Sequence, residues 1–224
     1  MGQIERIVMR VAALAVCTAM MVGCGTPIQA AMGTYQDAKP CCADVRGLPY
    51  SPLAVGQTVK FKLDGASPAF VFTGGKSFFQ AFALPSTEAD YGLALSSYLD
   101  KYWHASGDET HILYPVLTLM DADYRTVKVI STDLMRYEPP TWGEPVRLVG
   151  RLRITPKAGV RFVVIHTTTD ILQQQTTFSL PGSTGVAMVG KTPIPITSAG
   201  SVRTYPHAPI GDLKLEVVDL SGHP

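Results

Sequence analysis

The stretch VRLVGRLRITPKAGVRFVVIHTTT, residues 146–169, decides the fold. In its first arm Val146, Leu148, Gly150, Leu152 and Ile154 fall on one side of an extended chain. Arg147, Arg151 and Arg153 fall on the other, which is the period of a half-buried strand. Pro156-Lys157-Ala158-Gly159 supplies a fixed φ and a permissive glycine for a reversal, and residues 160–165 return as a nearly unbroken apolar run. The reading is a β-hairpin whose second arm needs cover on both faces and so lies at the centre of a sheet.

Strand signals continue outward from this hairpin in both directions. Residues 48–53 are extended by their prolines, and Val59-Lys60-Phe61-Lys62-Leu63 alternates with period two. Residues 70–72 and 77–84, around Gly74-Gly75, form a second hairpin, and Tyr91, Leu93, Leu95, Ser97 and Leu99 share one side of a further strand. A helix is the competing reading there, because the segment lacks proline. Pro115 puts residues 111–120 at a sheet edge or a bulge, Asp121-Ala122-Asp123 makes a turn, and residues 126–130 are β-branched. Residues 138–145 are a stiff proline-rich loop, and Asp170 and Gln173 stand at capping-box spacing for one helical turn. Residues 181–207, rich in Gly, Pro, Ser and Thr, are assigned no strand; Leu213, Leu215 and Val217 form the last one. Roughly eight short strands with minor helix predict an all-β fold, an antiparallel β-sandwich of the jelly-roll kind, with a barrel as the alternative.

Composition agrees with one substantial core: 224 residues are 46% hydrophobic and 17% charged. Arg6, Arg10 and Glu5 fall in a leader, so the remainder is left with 17 basic and 17 acidic side chains. A neutral chain without a basic patch excludes a nucleic-acid partner.

Arg6 and Arg10 precede the apolar run 11–22, which suits a signal peptide over residues 1–23 and is short for a membrane span. The run ends Met21-Val22-Gly23-Cys24-Gly25, which resembles the lipobox of bacterial lipoproteins. That resemblance implies an acylated, palmitate-bearing Cys24 at the mature N-terminus and a membrane anchor of several acyl chains. The alternative is ordinary cleavage near Ala30-Ala31. By the sorting rule of such proteins, Gly25 in place of an aspartate implies the periplasmic face of the outer membrane. Residues 24–47 are then a lipidated N-terminus and tether, 48–220 the sandwich, and 221–224 a tail.

Cys17 lies in the leader, so only the neighbours Cys41 and Cys42 remain, compatible with a vicinal disulfide in an oxidising compartment. Neither a second cysteine pair nor histidines at zincin spacing accompany them, and no metal or cofactor is assigned. Asp121-x-Asp123 lacks the glycine and glutamate of a calcium loop. No Gly-x-Ser-x-Gly elbow occurs, so a hydrolase is disfavoured, and His166 is read as a packed or hydrogen-bonded strand residue.

Sugar recognition needs exposed aromatic faces with amides or carboxylates beside them. Tyr102 with Trp103, and Tyr137 with Trp142, fall in predicted loops and are the candidate ligand-binding residues. The favoured reading is that both tryptophans cap the core, with a platform as the alternative; Gln173, Gln174 and Gln175 are amide candidates.

Residues 117–121 (LTLMD), 151–156 (RLRITP), 166–177 (HTTTDILQQQTT) and 211–215 (GDLKL) resemble the maltose operon periplasmic protein (MalM) family, in order, over about residues 48–218. The resemblance implies an envelope protein associated with maltose or maltodextrin uptake, and it carries no catalytic motif. The expectation is a non-enzymatic lipoprotein that binds maltodextrin or an envelope protein partner, the alternative being a structural or interaction module with no sugar ligand.

Overall fold

The computed structural model describes residues 27–220 except 105–106, 132–133, 181 and 191. The expected signal peptide, Cys24 and the expected tail at 221–224 lie outside the described residues. Two six-stranded sheets form the body. Sheet I runs β1 (Tyr50–Pro52), β4 (Gly75–Ala83), β11 (Phe162–His166), β7 (Val116–Met120), β8 (Thr126–Ile130), with β3 (Ala69–Phe72) on the first part of β4. Sheet II runs β2 (Thr58–Leu63), β16 (Gly211–Asp219), β5 (Tyr91–His104), β10 (Arg147–Ile154), β9 (Met135–Glu138), with β6 (Gly107–Ile112) on the far part of β5. All of these pairings are antiparallel except β1 with β4.

The inner faces meet in one core. Phe78, Phe82, Leu117, Leu119, Val163 and Ile165 from sheet I pack with Leu63, Leu93, Leu95, Ile154, Leu213 and Leu215 from sheet II. Phe61 and Phe82 touch edge to face across the interface, with centroids 5.4 Å apart. The all-β sandwich expected from the alternation is therefore present.

The hairpin expected at 146–169 is not. β10 pairs with β5 and β9 in sheet II, whereas β11 lies between β4 and β7 in sheet I. The chain between them, turning at Gly159 with φ +71°, crosses from one sheet to the other. Alternation reports which face is buried but not which strand lies alongside, and a seven-residue link spans the roughly 10 Å between stacked sheets. The expectation of a covered centre does hold for β11. Val163 and Ile165 enter the main core, while Val164 enters a second apolar cluster on the outer face with Leu48, Phe70, Phe79, Ala81 and Met120.

Pro115 makes neither edge nor bulge; it separates β6 from β7 where the chain changes sheets. The helical turn is Thr169–Leu172 and is capped by Thr168, whose Oγ1 accepts from Ile171 N–H, so the Asp170/Gln173 box is unused. Within the expected tether, Pro27–Asp37 is a helix. Its Tyr35 is buried edge-on against Phe78 and donates to Lys76 O.

The segment assigned no strand holds three: β13 (Ser183–Val189) pairs with β14 (Thr192–Ser198), and β15 (Ser201–Pro206) with β12 (Gln175–Leu180), which lies just before it. Prolines in a short ribbon read as loop in sequence because a strand tolerates them wherever the N–H is not needed by the ladder.

Candidate functional site

On β5 the odd positions Leu93, Leu95 and Ser97 face the core, which turns Tyr98 and Asp100 to the outer surface of sheet II. The same alternation brings Lys60 and Lys62 of β2 and Asp212 and Lys214 of β16 to that surface. The loop 139–146 rises beside them. Together Lys60, Lys62, Tyr98, Asp100, Glu144 and Asp212 line an open groove of about 600 Å³.

The loop is folded back on itself by reciprocal bonds between Thr141 and Glu144, N–H to O, of 2.9 and 3.3 Å. Trp142 and Gly143 form the apex, and Gly143 takes φ +95°, a conformation that favours glycine. This tight turn leaves Trp142 fully exposed at 105%. The expectation that Trp142 caps the core is overturned, since its side chain is fully exposed.

Glu144 anchors the loop. Its Oε1 accepts from Lys214 Nζ at 2.7 Å and its Oε2 from the Tyr98 hydroxyl at 2.9 Å, while Arg147 Nη1 stands 3.7 Å away. These donors, the Lys214 bond foremost, hold the Glu144 carboxyl below its ordinary pKa, and the same bond raises that of Lys214. Asp100 behaves oppositely. Burial, and then the charge of neighbouring Asp212, pushes its pKa up to about 6, with Lys62 opposing. The groove thus offers a firmly ionised carboxylate, a carboxyl with a pKa of about 6, a phenol and lysines, and Trp142 precedes Gly143 of its lining in the chain. That set can donate to and accept from a polyhydroxylated ligand and stack on its apolar face.

The other candidate residues separate. Tyr137 lies on β9 rather than in a loop, 4.8 Å from Phe178, and its hydroxyl is buried with no hydrogen-bond partner. It shares a smaller groove of about 380 Å³ with Gln174 and Gln175, and Trp142 does not belong to it. Gln173 instead caps the helical turn. Tyr102 and Trp103 lie within β5, paired with Glu109 and Asp108, and not in a loop; their side chains lie outside the described residues.

The Cys41 and Cys42 sulfurs are in contact over the outer cluster of sheet I, away from the groove. His166 is a packed strand residue, as expected: it stacks on Phe72 at 4.0 Å, contacts Thr118 Oγ1 at 2.9 Å, and burial lowers its pKa to about 4. Among the described residues no three metal-ligating side chains converge. The arginine strip of β10 is paired off, Arg147 and Arg151 to Glu138 and Arg153 to Asp90, each at 2.8 Å.

Sequence reasoning missed Tyr98, Asp100, Glu144, Asp212 and Lys214. A local signal existed for Lys214 alone, a lysine between the core residues Leu213 and Leu215 whose side chain is only 10% exposed.

No curated protein and no solved structure matches this chain. The family model described as maltose operon periplasmic protein precursor (MalM) matches residues 74–217, from the start of β4 into β16. That span includes every groove residue except those on β2, and it covers well over half of the sequence: the chain belongs to the maltose operon periplasmic protein precursor (MalM) family.

Proposed function

We propose that this periplasmic protein of the maltose operon family is a non-enzymatic accessory to carbohydrate uptake, binding maltodextrin in the groove on sheet II. The observation that carries the reading is Trp142: a fully exposed indole on a tight turn whose next residues, Gly143 and Glu144, line a groove of carboxylates, lysines and a phenol. Glucose rings present an apolar face that stacks on an indole and hydroxyls that bond to carboxylates and amines. The lipobox at Gly23-Cys24 supports a lipid anchor at Cys24, and Gly25 supports the outer membrane as its location.

Titration of the chain with maltoheptaose, followed by tryptophan fluorescence and calorimetric heat, tests the binding. A saturable response that Trp142→Ala removes is expected. Absence of saturation at millimolar sugar would leave the second reading, an interaction module of the envelope with no sugar ligand. Loss of acyl labelling in Cys24→Ala tests the anchor separately.

A further inference from the structure

The ribbon formed by β13 and β14 pairs with no other described strand, and it has two different edges. In its register Met188 stands opposite Pro193 and Val186 opposite Pro195. A proline cannot donate, so these are the non-hydrogen-bonded pairs of the ladder, and the backbone groups of all four residues point outward. Thr184 opposite Thr197 has the same parity. The open side of β13 therefore presents three N–H and three C=O groups, at Thr184, Val186 and Met188. On the open side of β14 only Thr197 still has an N–H to offer, because Pro193 and Pro195 have none.

From this geometry we propose that the open edge of β13 is a dimerisation edge that pairs antiparallel with β13 of a second copy of this chain. Three observations select that occupant. Centred on Val186, a two-fold axis matches Val186 with its own copy and Thr184 with Met188, so all three outward positions of each strand are used at once. β13 carries no charge, and between residues 171 and 211 the chain has no Asp or Glu and only Lys191 and Arg203, so like charges do not meet across the axis. An isolated two-stranded ribbon is marginal in water, whereas the order β14-β13-β13-β14 is a four-stranded sheet that also covers exposed apolar surface such as Met188. The prolines on both outer edges then stop growth at two copies.

The full chain is measured in detergent by light scattering corrected for the micelle. Twice the mass of one chain is expected at micromolar concentration, falling twofold to one chain in Met188→Pro. That substitution removes only an outward N–H and leaves the bonds to β14 intact; circular dichroism matching the unsubstituted chain verifies this. Val186→Cys should form a disulfide-linked dimer under oxidation, and Pro193→Ala with Pro195→Ala should give species larger than two chains. A monomer without substitution, a dimer that survives Met188→Pro, or a stoichiometric complex with a different polypeptide overturns the proposal.

Discussion

Lys214 and Glu144, 70 residues apart in the chain, are joined by a 2.7 Å hydrogen bond from Nζ to Oε1 that ties the Trp142 loop to the middle of sheet II. The two ends of the bond are not equivalent. Lys214 is nearly buried with Glu216 as its other acidic neighbour at 3.5 Å, whereas Glu144 is about one-third exposed and keeps Tyr98. Glu144→Ala is expected to cost about 2 kcal/mol because it leaves the nearly buried ammonium with only the longer contact to Glu216 and takes the acceptor from Tyr98, and Lys214→Met only about 1 kcal/mol. Urea unfolding of both variants measures the asymmetry; equal costs would contradict it.

Trp142→Ala separates binding from stability. A fully exposed side chain contributes little to the core, so unfolding should shift by less than about 0.5 kcal/mol. Maltodextrin affinity should fall roughly thirtyfold, about 2 kcal/mol, as for a stacked aromatic anchor.

His166 makes the fold acid-sensitive. Its native pKa of about 4 lies below the ordinary 6.5, so the unfolded chain takes up the proton first as pH falls. The stability contributed by the neutral buried ring is whole above pH 6.5 and is lost progressively down to about pH 4, by about 3 kcal/mol. Unfolding free energies across that window should be flatter in His166→Gln than in the unsubstituted chain.

Asp100 acts in the opposite sense. Its pKa is raised to about 6 from 3.8, so the native state holds the proton longer and its stabilising effect fades as pH rises through that interval. Asp100→Asn should therefore stabilise the protein at pH 7, with the gain vanishing below about pH 4. A variant equally stable to the unsubstituted chain at pH 7 would count against a strained carboxyl here.

Gly211 is the tightest entry into β16. A Cβ there would stand 2.6 Å from Leu113 Cβ and 3.4 Å from Leu113 N, and Leu113 is fully buried. Gly211→Ala should cost about 1–3 kcal/mol in thermal or denaturant unfolding, since backbone rather than a flexible side-chain end must move.

Local alternation was enough to locate β2, β5, β10 and β16 and to say which residues of each face inward, because burial of one face leaves a period of two in the residues themselves, while β8 and β11 showed as β-branched and apolar runs. The short runs at 117–121, 151–156, 166–177 and 211–215 were enough to indicate the family. Partnership was legible for the short hairpin around Gly74-Gly75, where β3 pairs with β4 as expected, but not at longer range. Arg147–Ile154 and Phe162–His166 read as two arms of one hairpin, yet they lie in opposite sheets, and residues 181–207 read as loop while forming strands.

The candidate site divides the same way. Trp142 was visible as an aromatic in a proline-rich loop, but the turn that exposes it depends on bonds between Thr141 and Glu144, and the groove beside it gathers β2, β5 and β16 from three distant parts of the chain. Sequence by itself determined where the alternating strands of the two main sheets lie, which faces they bury and the family, since each is written in short-range pattern. Tertiary structure alone decided which distant strands pair, which aromatic is exposed and which charges meet, since those depend on contacts between residues far apart in the chain.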